Sequence, residues 1–209
     1  MNTAELETKT VIFAGGTYHR SLGIKGEREF SGRGISSCAV CDGAFFKGKP
    51  AAVIGGGDTA FSDALYLANI CSEVYIISRR DVFRAGKSLV AQAESSDKIK
   101  IITNAVPVEI HGDKLVDSIE ISQNGKLSSI AVNGVFIAIG SVPNTDIIAP
   151  LVKLDENGYI MAGEDGVTSA DGIFAAGDCR TKKLRQVITA VADGANCVMS
   201  AEKYIRENR

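Results

Sequence analysis

"PAAVIGGGDTA", Pro50 to Ala60, decides how the rest of this chain is read. Small and apolar residues behind a proline make a short buried strand, in which Pro50 is tolerable at the first position because no ladder donor is needed there. Three glycines follow. From Asp58 the apolar or small positions Ala60, Phe61, Ala64, Leu65 and Ala68 recur at helical spacing, and "EVYIISRR", Glu73 to Arg80, returns as a strand, closing one β-α-β unit. Gly55-Gly56-Gly57-Asp58-Thr59-Ala60 therefore sets G-x-G-x-x-A at a strand-to-helix turn, the context that a dinucleotide fingerprint requires. Gly55 makes the tight turn, Gly57 lets the backbone approach a pyrophosphate, and Ala60 permits close helix packing. The helix N-terminus behind Asp58 and Thr59 adds unpaired N–H groups and partial positive charge for the phosphates.

The end of the second strand says which dinucleotide. An NAD site usually carries an acid there for the ribose hydroxyls, whereas this chain has Ser78-Arg79-Arg80 and then Arg84 about one helical turn on. Grouped guanidinium forks suit a 2′-phosphate and repel nothing in it, so NADPH is favoured over NADH. A solvated basic turn is the competing reading of the same residues.

Further out, 22 glycines mark the ends of alternating strands and helices, which indicates an α/β, Rossmann-like fold with a parallel sheet. "TVIFAGG" and "GIFAAG" read as buried strands, a helix is expected from about 84 to 97, and Val187, Ile188, Val191, Ala195, Val198 and Ile205 describe an apolar stripe on a C-terminal helix. "KIKIIT", "VPVEIHG", "LVDSIEIS" and "SSIAVNGVFIAIG", with turn signals at His111-Gly112-Asp113 and Asn124-Gly125, read as short antiparallel strands laid over the sheet. With 45% hydrophobic and 23% charged residues in 209, the chain can bury a real core. A net charge of −2 without a basic stripe argues against nucleic acid or an anionic membrane as partner. The longest apolar run, Val135 to Ile139, is too short to cross a bilayer, and the N-terminus lacks the pattern of a signal peptide, so a cytoplasmic setting is expected.

In that setting the pair in "SCAVCDGAFF", Cys38 and Cys41, is more at home in catalysis or metal binding than as a structural staple. Zinc needs four ligands, and Cys71, Cys179, Cys197, His19 and His111 show no ligand spacing, so no metal is expected. A redox pair exchanging through a mixed disulfide fits a chain that binds NADPH, with Asp42 placed where a carboxyl could protonate a departing thiolate. Two inert cysteines, and Asp42 as a plain turn or cap residue, remain the alternatives.

"CAVCDGAFF", "VIGGGDTA", "ISRRDVFRA", "VFIAIGSVPNT", "IFAAGDC" and "RQVITA", in this order, resemble the low-molecular-weight thioredoxin reductases, from about Val11 to the C-terminus. The resemblance implies a flavoprotein in which NADPH reduces FAD, the flavin reduces the Cys38–Cys41 disulfide, and the dithiol reduces thioredoxin. It implies that Cys41 faces the flavin, that Cys38 attacks thioredoxin, and that Asp42 is the general acid. It also assigns Arg79, Arg80 and Arg84 to the 2′-phosphate, Gly177 and Asp178 to the flavin ribityl chain, and Arg185, Gln186 and Val187 to the helix start beside the flavin ring. Gly140 joins the cofactor set through its motif. A homodimer, and rotation of the NADPH domain between two working positions, are further implications. Ser78 stands where many members have histidine, and "FAGGT" replaces a more usual alanine-threonine-glycine turn.

The family also opens with a β-α-β unit whose own glycine turn holds the FAD pyrophosphate, and the only such turn here is the one at Gly55. The chain is thus expected to comprise an NADPH-binding domain over 20–134 and a partial FAD-binding domain over 1–19 and 135–209. The second class of function that fits is a nucleotide-binding module without turnover. Within the enzymes, the flavin subunit of an alkyl hydroperoxide reductase is the neighbour, and the three arginines argue against its NADH.

Overall fold

The computed structural model describes residues 5–208. The chain forms two compact units, one of residues 1–18 and 141–209, the other of residues 19–140. In chain order the first half holds β1 (Val11–Phe13), β2 (Thr17–His19), β3 (Ile35–Ser36), α1 (Ala39–Asp42), β4 (Pro50–Ile54), α2 (Asp58–Ala68) and β5 (Glu73–Ile77). There follow α3 (Lys87–Glu94), β6 (Ile99–Ile102), β7 (Ala105–Gly112), β8 (Val116–Gln123), β9 (Lys126–Ala131) and β10 (Gly134–Ile137). The chain ends with β11 (Ser141–Pro143), β12 (Ile173–Ala175) and α4 (Val187–Glu207).

The 19–140 unit is built on a five-stranded parallel sheet in the order β3-β10-β4-β5-β6. Its strands are buried on both faces, and the two-residue period sorts their side chains into two cores. Val53, Ile76 and Phe136 point to one face, where α2 supplies Ala60, Phe61, Ala64 and Leu67. Ala52, Ile54, Ile77 and Val135 point to the other, against Ile110, Ile119 and Ile121 of the β7-β8-β9 meander. The turn between β8 and β9 is Asn124-Gly125, with φ of 50° and 79°, the left-handed pair that a two-residue hairpin of matching twist demands.

Four expectations are corrected here. "KIKIIT" is not antiparallel: β6 runs parallel to β5, because α3 carries the chain back as a second crossover. "SSIAVNGVFIAIG" is two strands, not one. Its first half is β9 in the meander, and after Val132 the chain turns inward, where the Asn133 N–H donates to the Pro50 carbonyl at 2.9 Å and β10 enters the parallel sheet between β3 and β4. Residues 135–140, expected with the flavin segment, thus belong to the sheet of the 19–140 unit. The helix expected from about 84 to 97 spans only Lys87–Glu94, and Arg84 lies before it with its N–H donating to the Gly56 carbonyl at 2.9 Å.

In the other unit β1 pairs with β12 in parallel, over a core of Ile148, Val152, Ile160, Ala175 and Cys179. Helix α4 packs through Cys197, Ala201 and Tyr204 against Phe174 and Ala176. The apolar stripe read from the sequence faces away from this core: Val187, Ile188, Val191 and Val198 are exposed, as are Val11 and Ile12 of β1. The "TVIFAGG" strand is therefore formed but not buried. Among the described residues no helix is long and apolar enough to cross a membrane.

Candidate functional site

The carboxyl ends of β4, β5 and β10 meet where the strand order leaves a crevice, the place at which open α/β sheets take ligands. Gly55 turns the chain there with φ of +156°, and a Cβ on it would lie 2.9 Å from the Ala60 Cβ and against the Ala138 carbonyl. Gly57 has open space around it and caps α2 at its N-terminus. Ser78, buried at the end of β5, brings its Oγ under Gly56, and Arg79 and Arg80 continue from it into solvent.

Gly55, Gly56, Arg79, Arg80 and Arg84 line one cavity of about 450 Å³. Arg20, which nothing in the sequence singled out, lines it too. Asp58 instead accepts the Gly86 N–H at 2.8 Å, which ties the start of α3 to the start of α2, and Thr59 is exposed on the first helical turn. Gly140 lies just past β10 with φ of +100°, and its carbonyl accepts the Arg20 N–H at 3.0 Å.

The cysteines belong to the same unit. Cys38 and Cys41 form a disulfide, with Cα atoms 5.3 Å apart across the start of α1. Cys38 is half-buried and Cys41 exposed. Cys38 caps the helix: its Sγ accepts the Cys41 N–H at 3.2 Å. Ser36 was missed by sequence reasoning, and it holds this turn from below. Its Oγ accepts the Cys38 N–H at 3.0 Å and donates to Asp42 Oδ2 at 2.6 Å, so the acid is tethered to the backbone of the disulfide. Beside Asp42 a second cavity, of about 370 Å³, is lined by Phe45, Phe46, Leu115 and Val116.

In the other unit Gly177 opens a single turn after β12 with φ of +78°. Its N–H donates to Asp193 Oδ2 at 2.8 Å, and the same carboxylate receives Arg180 Nε at 2.8 Å, Arg180 Nη2 at 2.5 Å and Lys182 Nζ at 2.8 Å. Burial alone would raise the Asp193 carboxyl, but the donors from Arg180, Lys182 and Gly177 outweigh it and hold it at about 2. Arg185 donates to the Asp178 carbonyl at 3.3 Å and lies over the Tyr159 ring, 4.1 Å from its centre. Gln186 caps α4 in a reciprocal box with Thr189, and Val187 begins the exposed stripe. Asp178 Oδ1 is buried with no hydrogen-bond partner among the described residues. Such an acceptor costs about 1–3 kcal/mol unless something donates to it, and a polyol hydroxyl of the expected flavin would do so.

The family model for pyridine nucleotide-disulphide oxidoreductases matches residues 1–194. The chain is 45% identical over 204 residues to the thioredoxin reductase of Listeria innocua, covering 96% of this chain and 64% of that protein. It is 42% identical to the bifunctional thioredoxin reductase/thioredoxin of Mycobacterium leprae, covering 99% of this chain and 46% of that one. The crystal structure of the thioredoxin reductase from Streptococcus pyogenes superposes with a TM-score of 0.88 at 40% identity, over 95% of this chain and 66% of its own. The chain thus spans from about half to about two thirds of the length of these relatives.

Proposed function

The chain belongs to the pyridine nucleotide-disulphide oxidoreductase family, and from that premise we propose that it serves the reduction of thioredoxin by NADPH. The observation that carries this reading is the presence of the arginine-lined cleft and the Cys38–Cys41 disulfide in one compact unit. Arg79, Arg80 and Arg84 supply planar donors for a 2′-phosphate, and the Gly55–Gly57 turn with the start of α2 takes the pyrophosphate. The chemistry that FAD would supply, when bound, is two-electron transfer between a nicotinamide and the disulfide. The residues here that would hold it are Gly177, Asp178, Arg185, Gln186 and Val187, with Asp178 Oδ1 as the waiting acceptor.

In the dithiol state the Cys38 thiolate attacks one sulfur of the thioredoxin disulfide. That S–S bond breaks, and the displaced sulfur leaves as a thiolate, which takes a proton from Asp42. Cys41 then gives its proton to the Asp42 carboxylate and attacks Cys38 Sγ of the mixed disulfide; the bond to thioredoxin breaks, the intramolecular bond re-forms, and the departing sulfur takes the proton from Asp42, releasing reduced thioredoxin. The apolar cavity beside Asp42, with Phe45 standing out of it, supports a protein as the partner at this point. A cytosolic setting, where disulfides are normally kept reduced, and association as a homodimer go with the same reading, the latter supported by the exposed apolar strip of α4.

The exchange step can be tested on the chain without flavin. Pre-reduced Cys41→Ser chain, mixed with oxidised thioredoxin, should accumulate a disulfide-linked adduct on a non-reducing gel, and Cys38→Ser should not. Equal adduct from Cys38→Ser would reverse the roles of the two cysteines. No adduct from either would leave the chain as a nucleotide-holding module without turnover.

A further inference from the structure

The cleft at the ends of β10, β4 and β5 is lined by four arginines and by no carboxylate or lysine. Three of them follow β5, and the fourth is Arg20. None makes an ion pair among the described residues, so four exposed arginines border one cavity with no protein anion in its lining. Such a grouping of like charge suits a ligand with several negative charges. A 2′-phosphate, with about two of them, matches the cluster after β5 but leaves Arg20 unused.

Arg20 stands elsewhere in the cleft. Its N–H donates to the Gly140 carbonyl at 3.0 Å, and its Nε lies 3.9 Å from the position that a Cβ on Gly140 would take, so it covers the end of β10. In the sheet β10 flanks β4 on one side and β5 flanks it on the other. The glycine turn after β4 therefore lies between Arg20 and the Arg79–Arg80 pair. A dinucleotide that puts its 2′-phosphate on the β5 side and its pyrophosphate over the glycine turn must extend its remaining half toward β10.

We propose that Arg20 is the nicotinamide-side cation of the cleft, holding the phosphate of the nicotinamide half, while Arg79, Arg80 and Arg84 hold the adenosine 2′-phosphate. This rests on the reading of the cleft as an NADPH site. Arg20 would then contribute to affinity for any nicotinamide dinucleotide and nothing to the choice between NADPH and NADH.

Calorimetric titration of the full chain with NADPH, NADH and 2′,5′-ADP tests it, since 2′,5′-ADP carries the adenosine phosphates and lacks the nicotinamide half. Arg20→Ala should weaken NADPH and NADH by the same factor, about tenfold, the loss expected for one charge-assisted contact. It should leave 2′,5′-ADP unchanged, with Arg20→Lys falling between. Arg79→Ala with Arg80→Ala should do the reverse, weakening NADPH and 2′,5′-ADP and sparing NADH. Unchanged NADPH binding by Arg20→Ala, in a variant whose circular dichroism matches the wild type, would overturn the assignment. So would an equal loss for 2′,5′-ADP, which would put Arg20 on the adenosine end. A wild-type chain that binds none of the three would sink the reading of the cleft itself, and this inference with it.

Discussion

Asp193 is the residue on which the Gly177 turn depends. Its side chain is 5% exposed, as is that of Arg180, and the Lys182 side chain is 7% exposed, so three charges share a dry corner with one backbone N–H. Removing one member of such a set leaves the others buried and uncompensated, which costs roughly 3–5 kcal/mol, whereas keeping all of them is close to neutral. Asp193→Asn should therefore destabilise the unit formed by 1–18 and 141–209, lowering its melting temperature by roughly 12–40 °C at neutral pH. The carboxyl titrates at about 2 when folded, below its ordinary 3.8. The stability it adds is thus fully present above the ordinary value and is lost as the pH falls through about 2. Melts of wild type and Asp193→Asn followed by circular dichroism should converge as the pH is lowered from 5 toward 2; a gap that stays constant would show that the charge of Asp193 is not what matters. None of this was legible in the sequence. The partners lie 11, 13 and 16 residues away from Asp193, and no short motif links positions that a strand end, a turn and a helix bring together.

At the scale of elements, β4-α2-β5 was legible because three signals agree there: the two-residue period of a strand, the helical spacing after Asp58, and a glycine turn between them. Strand direction was not legible for β6, because a four-residue strand of three isoleucines and a lysine carries no mark of its neighbour's orientation. Nor was the buried face of α4. The helix has an apolar stripe, yet the stripe is exposed and the packed face is Asp193, Cys197 and Ala201, one polar residue and two small ones. The glycine turn lets packing and binding be separated. A Cβ on Gly55 would crowd Ala60 at 2.9 Å in a backbone conformation that side chains avoid, whereas one on Gly57 would meet nothing within 4 Å. Gly55→Ala should lower stability by about 1–3 kcal/mol. Gly57→Ala should melt with the wild type and still bind NADPH several-fold more weakly, because its methyl group occupies the approach of the pyrophosphate. Melting curves and NADPH titrations of the two variants separate these effects. Normal affinity in Gly57→Ala would remove the turn from the nucleotide site.

At the scale of the whole molecule, the two units are unequal. The contiguous 19–140 stretch carries a core on each face of its sheet, both described cavities and the disulfide. The other unit is closed by the two ends of the chain and has two smaller clusters. The first should therefore fold by itself, but only if it is cut in the right place. The boundary expected from sequence ended the NADPH segment at residue 134, which leaves "VFIAIG" with the flavin segment. In the sheet, that strand is β10, held between β3 and β4 with Val135 and Phe136 fully buried. An inner parallel strand cannot be removed without leaving the ladder groups of both neighbours unpaired inside the protein and opening both cores. Residues 19–140 expressed alone should thus unfold cooperatively and bind NADPH with the affinity of the full chain, while residues 20–134 should be insoluble or lack a melting transition. Should 20–134 melt cooperatively and bind NADPH as tightly as 19–140, β10 would be dispensable, and the nucleotide site would stand on β4, β5 and their glycine turn alone.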